Sequence, residues 1–260
     1  MEDSKFIPCR KCVGKRGPKP GYFYSQVTWE GKSYMVAEEC DCHKEYMRTR
    51  TFYHKATAAG IYPQSFDYDP DREYKGKKSL ENVARLKKYA AGFSTNFSGA
   101  MVYIYGPNGT QKTTLAHWVG ASVISQGKSV KFILMQNLLK LMTGNIFNSD
   151  EGMSEELEAL EKVDLLIVDE SFSKDKVTIF KSGYQIPYLD QFIRDRIEGQ
   201  RKGIVFISNT APDQLESQGF SKSLQDLVSR NTTAVGTALE FVDNYIQERS
   251  NFPVKGLFDE

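Results

Sequence analysis

Residues 100–114 read AMVYIYGPNGTQKTT, and the chain continues from Thr114 as TLAHWVGASVISQG. Six apolar residues without polar alternation fit a strand buried on both faces. The glycine-, proline- and asparagine-containing loop then opens into an apolar helix. In such a strand–loop–helix, backbone N–H groups of the loop and of the helix N-terminus converge on an anion, and phosphate is the usual one. The candidate cradle is Gly106, Pro107, Asn108, Gly109, Thr110, Gln111, Lys112, Thr113 and Thr114. Lys112 is spaced to reach the β/γ-phosphates of a nucleotide, and the Thr113 hydroxyl to ligate Mg2+. One position departs from the pattern G-x4-G-K-[ST]: Gln111 stands where glycine is expected. A side chain there either crowds the phosphates or is accommodated by a backbone already helical at that point. A decayed loop kept as a scaffold turn is the third reading.

Working outward, apolar runs alternate with amphipathic segments. They are SVKFILM (129–135), VDLLIVD (163–169), GIVFISN (203–209) and TTAVGTALEF (232–241). With 100–105 they predict an α/β domain around a parallel five-stranded sheet. The run 163–169 ends in Asp169 followed by Glu170. An acid pair at that strand tip suits Mg2+ held by Asp169 and an attacking water polarised by Glu170, although two acids also cap turns. Asn209 at the next strand tip is placed to orient that water, or is a turn asparagine. Arg230, late in SKSLQDLVSRN, suits a finger acting on a neighbour's nucleotide, or complements a helix C-terminus.

All four cysteines lie near the start: Cys9 and Cys12, a 27-residue insert, then Cys40 and Cys42 with His43 adjacent. Two close thiolate pairs on separate turns predict a tetrahedral Zn2+ site; redox-active thiols are the alternative. An all-cysteine set uses both pairs, and His43 is the alternative to Cys42. The insert reads as a hairpin, YFYSQVTW and GKSYMVA around Glu30-Gly31. So short a segment buries little apolar surface and needs a staple. The organisation expected is a zinc-ribbon-like domain over 1–58, a linker and strap helix over 59–98, and the α/β domain over 99–260. The strap helix reads SLENVARLKKYAAGF, with Ser79 as its N-cap.

The chain has 260 residues, 34 Lys+Arg and 33 Asp+Glu. No run of eighteen apolar residues occurs, so no membrane helix is expected. Acids in MEDSKFIP do not suit a signal peptide, which predicts a cytoplasmic protein. The near-neutral total divides unevenly: residues 1–99 carry 18 basic against 12 acidic side chains, and residues 100–260 carry 16 against 21. The basic front suits an acidic partner, or is a solvated surface.

The order of these motifs resembles the AAA+ ATPases, and within them the replicative helicase loaders of the DnaC/DnaI type in the IstB/DnaC-like superfamily. SEELEALEKVDLLIVDES, YLDQFIRDRIEGQRKGIVFISN and the N-terminal cysteine module carry the likeness. The resemblance implies a phage- or mobile-element-encoded ATPase that uses ATP and Mg2+, assembles through its AAA+ domains and places a hexameric DnaB-type helicase on single-stranded DNA. The N-terminal domain would grip the helicase. Lys112, Thr113, Asp169, Glu170, Asn209 and Arg230 would fill the ATPase roles. QNLLKLMTGNIF corresponds to an insertion near DNA, making Lys140, Asn145 and Phe147 contact candidates; their spacing equally suits a core helix. Arg249 is the one candidate for a C-terminal nucleotide-sensing arginine. The alternatives are an IstB-like helper of a transposase and a non-hydrolysing zinc-ribbon adaptor with a degenerate loop.

Overall fold

A computed structural model describes residues 7–13, 21–147, 155–177, 185–233 and 235–243. The chain divides into two units, Met1–Lys55 and Ala56–Glu260. The first holds a single turn α1 (Arg10–Val13), strands β1 (Tyr22–Trp29) and β2 (Lys32–Glu39), and most of helix α2 (Asp41–Ala59). The strands pair antiparallel from Tyr22↔Glu39 to Trp29↔Lys32. Glu30 (φ 47°) and Gly31 (φ 74°) form the connecting turn. Two consecutive positive φ values give a turn whose twist matches that of the flanking strands. Most hairpin side chains are exposed, so the described residues of this unit form almost no apolar core of their own.

The second unit begins with an irregular strap: a 3-10 turn Pro63–Asp67, then α3 (Pro70–Glu73) and α4 (Lys77–Ala91). Helix α4 starts at an N-cap of Gly76 rather than the expected Ser79. Ser79 instead faces inward with Asn82, Val83, Leu86, Tyr89 and Ala90, because the buried stripe begins one turn before the apolar residues do. Strand β3 (Met101–Tyr105) leads through the loop to α5 (Lys112–Ser125). Then follow β4 (Val130–Leu134), α6 (Met135–Phe147), α7 (Glu155–Lys162) and β5 (Leu165–Asp169). The described chain closes with α8 (Gln185–Arg194), β6 (Gly203–Ser208), α9 (Lys222–Thr232) and β7 (Ala238–Glu240).

The five strands lie in the order β4-β5-β6-β3-β7, and every neighbouring pair is parallel. Strands β5 and β6 are buried along their whole length and β3 over four of five residues, which is why they read as unbroken apolar runs. The ten-residue run at 232–241 yields only three strand residues: Thr232 still belongs to α9 and Gly236 turns at φ 76°. Strand β4 passes into α6 with no intervening loop, and its last residue, Leu134, pairs with Asp169 of β5.

At the opposite end of the sheet Arg196 is 2% exposed. Its guanidinium donates to the carbonyls of Gly203 (3.0 Å), Leu160 (3.0 Å) and Val163 (2.8 Å). Burial lowers its pKa to about 10. One side chain thereby ties the end of α7 and the entry to β5 to the start of β6. No helix among the described residues is long and apolar enough to cross a membrane.

Candidate functional site

Parallel strands end together, and the loops that leave their C-terminal ends meet above the sheet. Here the tips of β3, β5 and β6 enclose a cavity of about 320 Å³ that Asn108, Gly109, Gln111, Lys112, Thr113, Asp169, Glu170 and Asn209 help to line. The expected cradle, acid pair and strand-tip asparagine are thus brought to one place. Gly106 opens the loop at φ 144°, and a Cβ there would meet the Phe241 carbonyl oxygen at 2.0 Å. The Phe241 N–H in turn donates to Tyr105 O at 2.8 Å, fixing the approach of the segment after β7. Any side chain at position 106 therefore displaces backbone.

Lys112 is buried, and its Nζ donates to the carbonyls of Gly106 (2.9 Å) and Pro107 (2.7 Å). Burial lowers its pKa to about 8, and Asp169 works against that shift. Thr113 Oγ1 donates to Asp169 Oδ2 at 2.8 Å, while the Glu170 N–H donates to Asp169 Oδ1 at 2.7 Å. Burial still raises the Asp169 carboxyl above its ordinary range despite these two bonds. The hydroxyl–carboxylate pair is the donor set expected of an Mg2+ site. Asn209 Nδ2 donates to Asn108 Oδ1 at 2.8 Å, joining the β6 tip to the loop after β3. Ser208 Oγ donates to Ser171 O at 2.6 Å and holds the β5 and β6 tips in register.

Gln111 is not yet helical, contrary to the expectation that a helical backbone accommodates it: it caps the helix in the left-handed region, φ 58° and ψ 23°, which explains why glycine is expected there. Its side chain reaches the strap, where it bonds Tyr68 and Glu73. Tyr74, on the same strap, donates to Thr110 O at 2.6 Å. Sequence reasoning missed these strap residues, because they lie 36 to 43 positions before their partners. It also missed Lys176, which lines the cavity and pairs with Glu170 at 3.1 Å.

Other expected residues lie elsewhere. Arg230 is exposed on the last turn of α9, where it pairs with Glu198 at 2.8 Å; it does not line the cavity. On α6, Leu138, Leu139 and Met142 enter the core, while Lys140 is exposed. The backbone of Asn145 and Phe147 is helical, but their side chains lie outside the described residues, as does Arg249.

In the first unit the sulfurs of Cys9, Cys12, Cys40 and Cys42 all lie within 4.8 Å of one another. The closest pairs are Cys40–Cys42 at 3.3 Å and Cys12–Cys42 at 3.5 Å, with Cys9 at 3.7 Å from both Cys12 and Cys40. Four thiolates about 2.3 Å from a tetrahedral Zn2+ stand roughly 3.8 Å apart, so the cluster has the size and chemistry that metal requires. No disulfide joins the cysteines. Burial pushes the Cys12 thiol up. His43 stands outside the cluster: its Nδ1 bonds Glu39 at 2.6 Å and its ring packs on Tyr22.

Comparison with known proteins agrees with this geometry. Over 158 residues the chain is 30% identical to the replicative helicase loader DnaC of Buchnera aphidicola subsp. Schizaphis graminum, covering 60% of this chain and 58% of that protein. The chain thus spans less than two thirds of that relative's length. Among solved structures, AMPPCP-bound DnaA from Aquifex aeolicus superposes with a TM-score of 0.55 at 18% identity, over 74% of this chain and 56% of that one. A DnaI structure gives 0.50 at 15% identity, over 68% and 88%. These two likenesses concern the fold, which is that of an AAA+ domain. The IstB-like ATP binding protein family matches residues 36–181, more than half of the chain, and the chain belongs to that family.

Proposed function

We propose that the chain is an ATP-dependent loader that grips a replicative hexameric DnaB-type helicase through its N-terminal unit and places it on single-stranded DNA. The observation that carries this reading is the 158-residue similarity to a helicase loader, beside a cavity lined by Lys112, Thr113, Asp169 and Glu170. In this reading Lys112 and the loop N–H groups hold the triphosphate, and Thr113 and Asp169 hold Mg2+. The bound metal supplies charge neutralisation at the phosphate oxygens. Asn209 orients the attacking water, and the Glu170 carboxylate accepts its proton. Arg230, exposed on α9, reaches the nucleotide of an adjacent copy when the AAA+ domains assemble. Lys140 contacts the phosphates of single-stranded DNA, with Asn145 and Phe147 further along the same helix. Cys9, Cys12, Cys40 and Cys42 hold a structural Zn2+ in the unit that meets the helicase.

A pull-down of DnaB-type helicases by the full chain tests the loader. Capture of a helicase supports it. Capture of a transposase with no helicase instead favours an IstB-like helper. The non-hydrolysing adaptor rested on Gln111 crowding the phosphates, yet its backbone already has the glycine conformation and its amide is bonded to the strap. Calorimetry decides that point: Mg-ATP binding that Lys112→Ala abolishes is expected, and no binding by the unaltered chain restores the adaptor.

A further inference from the structure

A glutamine in place of the loop glycine raises two separate problems. One is the backbone: the left-handed conformation at φ 58° disfavours any residue with a Cβ. The other is the amide, a donor and acceptor on a rotatable stem beside Lys112. Free to turn, it would compete with phosphate for Lys112 Nζ and for the loop N–H groups.

The structure deals with the amide from the strap. Tyr68 Oη donates to Gln111 Oε1 at 3.1 Å, and Gln111 Nε2 donates to Glu73 Oε2 at 3.3 Å. Both ends of the amide are therefore engaged by strap residues that line a second cavity, not the one of Asp169 and Asn209. Neighbouring Tyr74 is 3% exposed and donates to the carbonyl of Thr110, so the strap is fastened to consecutive loop residues. We infer that Tyr68 and Glu73 are positioning residues for the phosphate-binding loop: they hold the Gln111 amide out of the cradle, so that a glutamine serves where glycine is expected. The inference rests on the nucleotide reading given above. It also gives the strap a consequence for nucleotide affinity that is exerted through Gln111.

A mutant cycle separates this role from a structural or direct-binding one. Tyr68→Phe deletes one hydroxyl and Glu73→Ala one carboxylate, and both residues are only partly buried. Mg-ATP affinity is measured by calorimetry on the full chain, with turnover measured alongside. Tyr68→Phe combined with Glu73→Ala is expected to weaken binding by about fivefold, the scale of two modest hydrogen bonds, with a smaller change in kcat. In a Gln111→Gly background the same two substitutions are expected to have no further effect, because no amide remains to restrain. A loss that persists undiminished in that background overturns the inference, since the strap then acts on the nucleotide or on the fold directly. Unchanged affinity in the Tyr68/Glu73 double variant overturns it as well. If the unaltered chain binds no Mg-ATP, the nucleotide reading and this inference fall together; if it binds, only the positioning role is at stake.

Discussion

Lys176 Nζ lies 3.1 Å from Glu170 Oε1 at the rim of the cavity. Glu170 itself sits at φ 52°, an uncommon conformation that turns the chain sharply at the end of β5. Both side chains are roughly half exposed, so the pair contributes only ~0–1 kcal/mol and opens readily. Glu170→Gln is expected to lower ATP turnover by about a hundredfold or more while Mg-ATP affinity stays within about threefold. Lys176→Ala is expected to change turnover by no more than about fivefold. A joint loss of affinity and turnover in Lys176→Ala would place that lysine on the phosphates instead.

Metal content distinguishes the two candidates for the fourth ligand. The full chain purified without chelator is expected to carry one zinc, to lose it on Cys42→Ser and to keep it on His43→Ala. Structural zinc supplies on the order of 10–16 kcal/mol apparent, so chelation should abolish the ordered hairpin signal in circular dichroism or NMR. Zinc lost from the His43 variant would reverse the assignment.

Arg196 offers a stability test remote from the cavity. Its guanidinium serves three carbonyls within 3.0 Å in a buried setting, and a lysine ammonium cannot match that fan of donors. Arg196→Met is expected to destabilise the second unit by about 2–4 kcal/mol, because buried carbonyls lose their donors. Arg196→Lys should recover only part of this loss, as read by urea denaturation.

His117 gives a pH dependence with a definite sign. Its Nδ1 accepts from the Tyr62 N–H at 3.3 Å, its ring stacks on Phe132, and its Nε2 is buried with no partner among the described residues. Burial lowers its pKa from 6.5 to about 4. The unfolded chain therefore binds an extra proton between those values. The stability due to neutral His117 is complete above about pH 6.5 and is lost as pH falls towards 4, amounting to about 3 kcal/mol at most. Carboxylates titrate nearby, so the readout is the difference between the unaltered chain and His117→Phe. A difference that stays flat from pH 7 to 4 would remove His117 from the account.

What was legible in the sequence followed from local chemistry. Unbroken apolar runs announce β3, β5 and β6 because burial on both faces permits nothing else, and two thiolate pairs announce their own cluster. Glu30-Gly31 announces its turn because so few residues accept positive φ. What stayed hidden depends on pairings between distant segments. Nothing near Gln111 indicates that Tyr68 and Glu73 will hold it, and nothing near Lys176 marks it as the partner of Glu170. Arg230 suits a finger by position alone; its pairing with Glu198 on the segment after α8 became visible only once the helices were packed. The last strand shortened because the hydropathy of 232–241 does not register where α9 stops.

The loopless passage from Leu134 into Met135 has a mechanical meaning. A strand joined to a helix through several residues has slack, and a tug on the helix is absorbed there. Here there is none: α6 is an extension of β4, and the residue from which it springs is the ladder partner of Asp169. Any displacement of α6 therefore starts at the residue that stands opposite Asp169 in the ladder.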